Sequence, residues 1–489
     1  MASTLVTTRR DKPVNLMIRL LHAYFPKRTI FLGISEAFLV SLAFLSATLA
    51  RLGPGGAGYI FNNQHGSLKI LITSVLIVMC MHSFDLYETS VFANQREVLV
   101  RLFQALGTVY CLSVLLYYFY PPLELGRGIF VMGLILAAVL LYCWRGLFSK
   151  INSVPEFAER ALIFGDGPLG DLLQAEFECR PELGLRVVGR VLPTEDGDYR
   201  RTNCPPGEFP GKSTLTETED YLTRTVNNLR ATRVVVAMGD RRGKLPVDLL
   251  LSLKCRGLQV QDGVEVYEAI TGKVPIESIR LGWLLFSPGC HASRFHLAYK
   301  RTASILVSIF GLLVGLPFLP FIILAIKFTS RGPVLYRQKR VGREGVHFYC
   351  YKFRTMRADA EADTGATWAL DDDPRITRVG KFLRMSRLDE IPQLWNVLKG
   401  DMSLVGPRPE RPEFTEFLSR EIPHYHLRHT VRPGITGWAQ IRYKYASSLE
   451  DAREKLRYDL FYIKNMSIGL DLLVFLQTVK VILFSEGAK

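Results

Sequence analysis

"TASILVSIFGLLVGLPFLPFIILAIK", residues 302–327, is long enough to cross a bilayer as a helix, for which ~20 apolar residues suffice. Two features argue against a plain span. Gly311, Gly315, Pro317 and Pro320 fall inside the run, and proline removes a backbone donor and kinks a helix. Lys300 and Arg301 precede it, while Lys327, Arg331, Arg337, Lys339 and Arg340 follow. Positive charge on both flanks disfavours placing either flank outside. The run therefore predicts a re-entrant helix over about 302–327. It enters the inner leaflet, bends near Pro317 and Pro320, and returns to the side it came from.

Four apolar stretches precede it, at roughly 29–51, 67–86, 98–120 and 127–148. Each approaches the length of a transmembrane helix. Glu36 and Arg101 fall inside or near the ends of these stretches, and pairing within a bundle or snorkelling accounts for them better than transport does. Arg9, Arg10, Lys12, Arg19, Lys27 and Arg28 precede the first stretch; Arg96 and Arg101 flank the second loop; Arg145 and Lys150 follow the fourth stretch. Loops 52–66 and 121–126 carry no Lys or Arg. The positive-inside rule then puts both chain ends in the cytoplasm. The composition agrees with a membrane protein carrying soluble parts: 489 residues, 48% hydrophobic, mean hydropathy +0.14 and formal charge +15. The basic excess fits phosphorylated substrates or anionic lipid, with nucleic acid the weakest candidate beside membrane segments. Eight scattered cysteines form no C-x-x-C pair, which argues against a zinc or thioredoxin-like site. The N-terminus lacks the short apolar core and cleavage site of a signal peptide.

Between 155 and about 285, strands alternate with helix patterns, which predicts a parallel α/β sheet. "ERALIFGDGPLGDLLQAEF" reads as strand, glycine turn and helix; "LRVVGRVL", "ATRVVVAMG" and "LQVQDGVEVYEAI" read as further strands, with "VDLLLSLKCRG" helical. Gly165, Gly167 and Gly170 match G-x-G-x-x-G after a strand, where backbone donors can cradle a pyrophosphate. The acidic residue such a loop wants on the next strand is late, at Glu195 or Asp196, and no Tyr-x-x-x-Lys occurs. Nucleotide binding is an expectation here; catalysis is not. The expected organisation is a four-helix transmembrane region at 1–152, a Rossmann-like α/β domain at 153–298 and a catalytic domain at 299–489.

After residue 331 the chain is basic and rich in Gly-Pro turns. Arg340, Lys352, Arg354, Arg375, Arg384 and Arg408 recur beside glycines in "GPVLYRQKRVG", "FYCYKFRTMR", "DDDPRITRVGKFLRMSRLDE" and "SLVGPRPERPE". Guanidinium groups grip phosphate oxygens bidentately, and glycine turns bring backbone N–H groups to the same oxygens. Asp389 and Glu390 stand just before Pro392, which places them at a helix start. There they complement the helix dipole, or they react. Adjacent helical side chains point ~100° apart, so the two suit different tasks. A carboxylate beside Arg384 stays ionised and can act as a nucleophile or Mg²⁺ ligand. His424, His426 and His429 lack further ligands nearby and read as structural. "MSIGLDLLVFLQTVKVILF" (466–484), interrupted by Asp471, Gln477 and Lys480, predicts a helix lying in the membrane interface.

"YRQKRVG", "YKFRTMR", "DPRITRVGKFLR", "LDEIPQLWNVLKGDMSLVGPRP" and "RPGITGWAQ" resemble the bacterial sugar transferases, the polyprenyl-phosphate hexose-1-phosphate transferases or monotopic phosphoglycosyl transferases. The resemblance covers roughly 299–489. The earlier part is similar in architecture to the family's large members. It implies transfer of a sugar phosphate from a UDP-sugar to undecaprenyl phosphate, releasing UMP and initiating a glycan. It implies Asp389 as the nucleophile that becomes a covalent phosphosugar carrier, Glu390 as its assistant and Mg²⁺ near Asp389. It also implies Arg384 near the site, Arg408 as a phosphate clamp and Pro317 as the helix breaker, with Pro320 close by. The family's serine before that proline is Leu316 here. A homodimer is a further expectation from the large members. The competing readings are an NAD-dependent sugar-modifying enzyme using the 165–170 loop and a non-catalytic assembly scaffold.

Overall fold

The computed structural model describes residues 17–20, 23–63, 65–84, 86–87, 95–152, 159–165, 167–180, 184–193, 199–202, 223–238, 245–278, 294–357, 373–443 and 448–483. Glu195, Asp196 and the basic residues at 9–12 lie outside them. Short strands β1 (Met17–Leu20) and β2 (Ala23–Pro26) come first. The chain then divides into two compact units at the Gly263–Val264 junction, with residues 19–24 grouped with the second.

The first unit opens with four apolar helices: α1 (Lys27–Asn63), α2 (Gly66–Ser83), α3 (Gln95–Phe119) and α4 (Arg127–Asn152). All four are long and apolar enough to cross a membrane. Gly53 adopts φ 69° just before Pro54, so α1 breaks there and the expected loop after residue 52 is largely helical. Val40, Phe44, Ile77, Met81, Leu102 and Leu141 fill the bundle interior. Phe38, Leu71, Phe103 and Ile135 face outward, an arrangement that hydrocarbon solvates and water does not. Glu36 is fully buried and pairs with Arg145 at 2.7 Å, and Tyr87 donates to it at 2.5 Å. Arg101 pairs with Glu97 at 2.6 Å. Both charges are thus engaged within the helix bundle.

The α/β part of this unit is a five-stranded sheet in the order β5-β4-β3-β6-β7. Its strands are β3 (Glu159–Phe164), β4 (Leu185–Pro193), β5 (Tyr199–Thr202), β6 (Arg233–Val236) and β7 (Gln259–Asp262). β3, β4, β6 and β7 run parallel, and β5 is an antiparallel edge. Helices α5 (Pro168–Cys179) and α6 (Val247–Cys255) follow strands as expected. One expectation is corrected: after "LQVQD" the segment is helix α7 (Gly263–Thr271) and not strand. Val264, Tyr267 and Ile270 are buried at a spacing of three, a helical stripe that the local Val-Glu-Val alternation disguised.

The second unit begins within α7. Its next long helix is α8 (Arg294–Gly315), followed by a 3₁₀ turn at Leu316–Phe318 and α9 (Leu319–Thr329). Arg301 donates to the carbonyls of Val397 and Leu398, the latter at 2.9 Å. At the far end Arg354 donates to Ser330 and Arg331 carbonyls at 2.6 and 3.1 Å. In between, Gly311 and Gly315 let Leu394 and Ile391 approach closely, and Ile322 and Ile326 pack on Phe353 and Leu383. Both halves of the apolar run are therefore tied to one folded unit.

The rest of the unit comprises an antiparallel pair, β8 (Leu335–Val341) and β9 (His347–Phe353), then α10 (Arg378–Met385) and α11 (Gln393–Lys399). A parallel pair, β10 (Ser403–Val405) and β11 (Gly434–Thr436), is flanked by α12 (Pro412–Glu421) and α13 (Trp438–Arg442). α14 (Leu449–Lys464) and α15 (Ile468–Leu483) close the fold. α15 is two-faced: Leu470 and Val474 are buried, Leu472, Leu476 and Val479 exposed. Val274 and Ile276 join the core formed by Trp438, Leu456, Phe461 and Tyr462. Trp438 donates to the Gly272 carbonyl at 2.9 Å, and Lys464 pairs with Glu268 at 2.7 Å. The segment after β7 thus belongs to the same core as the C-terminal helices.

Candidate active site

The stretch "ITRVGKFLRMSRLDEIPQLWN" (376–396) builds one wall. Thr377 caps α10 by accepting from the Gly380 amide at 2.9 Å. Gly380 sits so close to the Thr355 carbonyl that a Cβ there would lie 1.9 Å from it, so only glycine lets α10 approach this strand end. That approach brings Arg384 to Thr355, where Nε donates to the hydroxyl at 2.9 Å. Arg387 then takes a left-handed conformation, φ 56°, and turns the chain into the 3₁₀ segment Leu388–Glu390. Pro392 stands at the N-cap of α11, as the sequence predicted. Asn396, fully buried, ties α11 to β9 by donating to the Tyr349 carbonyl at 2.7 Å and accepting from the Tyr351 amide at 3.1 Å.

The dyad splits as the helical geometry required. Glu390 Oε1 accepts from Lys352 Nζ on β9 and from Arg408 Nη2 of the Gly-Pro-Arg-Pro turn, each at 2.9 Å. Burial alone would push this carboxyl up, but Lys352 and Arg408 outweigh it and hold Glu390 well below the usual range. Asp389 is 6% exposed, and among the described residues its carboxylate has no hydrogen-bond partner. Burial raises its pKa, with Glu390 adding to the rise and Lys352, Arg384 and Arg408 opposing it. The sequence expected Asp389 to stay ionised beside Arg384; desolvation, which no local pattern reports, opposes that pairing and raises its pKa.

Of the six expected phosphate-binding cations, Lys352, Arg384 and Arg408 converge on the dyad. The other three are engaged elsewhere. Arg354 caps the end of α9, as described above. Arg340 donates to the Pro409 carbonyl at 2.9 Å and so supports the Gly-Pro-Arg-Pro turn from outside. Arg375 is folded onto Asp373, with bonds of 2.5 to 3.0 Å. Their guanidinium groups bond to backbone, carboxylate and amide oxygens of the protein. Sequence reasoning missed Thr355 and Asn396, whose roles arise from distant segments meeting.

Three glycines make the Gly-Pro-Arg-Pro turn possible. A Cβ on Gly434 would lie 2.2 Å from the Gly406 amide nitrogen, and one on Gly437 2.2 Å from the Gly406 carbonyl. Gly406, Gly434 and Gly437 pack backbone to backbone where β10 pairs with β11. In the first unit, the glycine loop holds a side chain of its own domain. Arg190 donates to the Gly165 and Gly167 carbonyls at 3.0 and 3.2 Å and pairs with Asp171. A Cβ on Gly170 would meet Arg190 Nη2 at 2.7 Å.

The family model for bacterial sugar transferases matches residues 295–485. The chain is 34% identical over 357 residues to a Klebsiella pneumoniae UDP-glucose:undecaprenyl-phosphate glucose-1-phosphate transferase, covering 71% of this chain and 72% of that protein. The chain belongs to the bacterial sugar transferase family. It is a transferase that associates with membranes through apolar helices. A Xanthomonas campestris UDP-glucose:undecaprenyl-phosphate glucose-1-phosphate transferase is 29% identical over 443 residues, 86% of this chain and 87% of that protein. An Aeromonas hydrophila UDP-N-acetylgalactosamine-undecaprenyl-phosphate N-acetylgalactosaminephosphotransferase is 44% identical over 228 residues, 46% of this chain and 52% of that protein.

Proposed function

We propose that this transferase moves a hexose 1-phosphate, glucose or galactose, from a UDP-sugar to undecaprenyl phosphate and so initiates an exopolysaccharide or related glycan. The observation that carries this reading is the divided dyad. Glu390 is held by Lys352 and Arg408, while the adjacent Asp389 is buried and, among the described residues, accepts no hydrogen bond. An Asp389 oxygen attacks the β-phosphorus of the donor; the bridging P–O bond breaks and UMP leaves. A phosphate oxygen of the lipid then attacks the same phosphorus, and the bond to Asp389 breaks. Splitting the transfer lets a soluble donor and a membrane acceptor use one site in turn. Arg408 and Lys352, ordered by Glu390, face the developing charge on the phosphate oxygens.

Mg²⁺ fits this donor set. Among the described residues no cluster of three or more His, Cys, Asp or Glu exists, but Mg²⁺ is commonly held by one or two carboxylates plus substrate phosphates. Asp389 would hold it, and the ion would neutralise diphosphate charge.

In this proposal the 294–329 run is re-entrant, because both its ends bond to the same unit. The catalytic unit then sits on the cytoplasmic face of the inner membrane, at the depth of a lipid phosphate. The decisive assay uses purified full-length protein, undecaprenyl phosphate and a panel of labelled UDP-sugars that includes the N-acetylated ones. Ping-pong kinetics are expected, and Asp389→Asn is expected to abolish both UMP release and lipid product. Substantial turnover by Asp389→Asn would sink the nucleophile assignment.

A further inference from the structure

Behind the Gly-Pro-Arg-Pro turn lies a buried charged cluster. Arg428, in the 3₁₀ segment Tyr425–Thr430, is 6% exposed. Its Nη2 donates to the backbone carbonyl of Arg408 at 3.0 Å and pairs with Asp459 of α14 at 2.9 Å. Its Nη1 donates to the Tyr425 hydroxyl at 2.5 Å and lies 3.9 Å from Glu410. Asp459 is 2% exposed. Arg340 holds the next carbonyl, that of Pro409. The turn that presents Arg408 to Glu390 is therefore gripped through two consecutive backbone carbonyls.

A carbonyl fixed in place fixes the backbone dihedrals beside it, and these set the direction in which the side chain leaves. We propose that Arg428 and Asp459 are positioning residues of this transferase. Acting through the Arg408 carbonyl, they aim the Arg408 guanidinium at Glu390 and the donor diphosphate. This inference rests on the reading of Arg408 as phosphate clamp. The pair is costly to bury, and a lone neutral hydrogen bond would satisfy the carbonyl as well. The forked guanidinium, by contrast, can hold a carbonyl, a carboxylate and a hydroxyl at once.

The charged groups acting on Asp459 are Arg428, Lys455 and Glu410, and the Tyr425 hydroxyl, bonded to Arg428, feels its charge as well. Burial pushes Asp459 up to about 6, against the pull of Arg428 and Lys455. Its charge, and with it the grip on Arg428, is present above that pH and lost below it.

The test is single-turnover UMP release by Asp459→Asn and Arg428→Lys in the full-length protein, from pH 5 to 8. At pH 8, Asp459→Asn is expected to release UMP about tenfold more slowly, with a raised KM for the UDP-sugar and an unchanged KM for the lipid. The ratio of wild-type to variant rate is expected to fall toward one below about pH 6, where wild-type Asp459 is itself neutral. A merely structural role would lower Tm and the active fraction while leaving the KM for the UDP-sugar unchanged. Should Asp459→Asn not fold, Arg428→Lys carries the test through a cycle with Arg408→Lys. If Arg428 acts through Arg408, the double variant is no slower than Arg408→Lys alone. An unchanged KM for the UDP-sugar, a pH-independent ratio, or fully additive losses in the cycle would overturn the inference and leave the nucleophile reading intact. Turnover by Asp389→Asn would instead sink that reading.

Discussion

Removing the Glu390 carboxylate tests how the dyad divides its work. Glu390→Ala releases two charge-assisted hydrogen bonds, to Lys352 and Arg408, both 2.9 Å and both on one oxygen. Such bonds contribute about 1.5–3 kcal/mol each when well shielded. The Lys352 and Arg408 side chains are 24% and 36% exposed, so solvent screening brings each to about 1–1.5 kcal/mol. Their sum, about 2–3 kcal/mol of lost ordering, corresponds to roughly 30- to 150-fold in kcat/KM. Glu390→Gln fills the same volume and keeps one acceptor oxygen, so about half that free energy is lost, roughly tenfold in rate. The assay is transfer of labelled sugar phosphate to undecaprenyl phosphate, with UMP release followed separately. Because Glu390 orders cations and does not bond to phosphorus, both half-reactions are expected to slow together. The reasoning fails if Glu390→Ala stays within threefold of wild type. It fails equally if Glu390→Gln is as dead as Asp389→Asn, since that would demand a chemical step at Glu390.

Three further outcomes are expected. Burial holds Asp389 above the ordinary carboxylate range, and only its ionised form attacks. UMP release is therefore lost as pH falls through that raised value, at higher pH than for an exposed aspartate; a rate flat down to the ordinary range would contradict the burial. Gly434→Ala places a methyl 2.2 Å from the Gly406 nitrogen and 2.4 Å from the Thr436 oxygen, and is expected to cost more than about 4 kcal/mol, a loss confined to named structural lesions. Thermal unfolding in detergent and the yield of monodisperse protein measure it, and a near-normal Tm would show that the turn can open. Ile276→Ala is expected to lower stability by about 2–4 kcal/mol, as other buried isoleucine truncations do, although Ile276 lies outside the 295–485 family match. A loss under about 0.5 kcal/mol would remove residues 264–278 from the catalytic core.

Much of the architecture is legible locally. The four apolar runs become helices because length and hydropathy are properties of the segment itself. The parallel sheet follows from strand and helix patterns that alternate within 155–262. The dyad stands at a helix start because Pro392 is two residues away. Where local pattern misled, a buried stripe had the wrong apparent period, as in "VEVYEAI"; the bonds of Arg354 and Arg375 to protein oxygens are likewise invisible to it. The glycine loop matches its fingerprint, and in the structure Arg190 of the neighbouring strand donates to two of its carbonyls.

The sequence by itself determined the long apolar helices, the α/β sheet and the choice of Asp389, Glu390, Arg384 and Arg408 as the residues to watch. Their different surroundings were decided only when β9, the 3₁₀ turn and the Gly-Pro-Arg-Pro turn met around one carboxylate oxygen. Lys352 and Arg408 flank Glu390 from opposite directions along the chain, and periodicity carries no information across such gaps. Burial, which raises Asp389, and cation pairing, which holds Glu390 ionised, are properties of that meeting and of no segment alone.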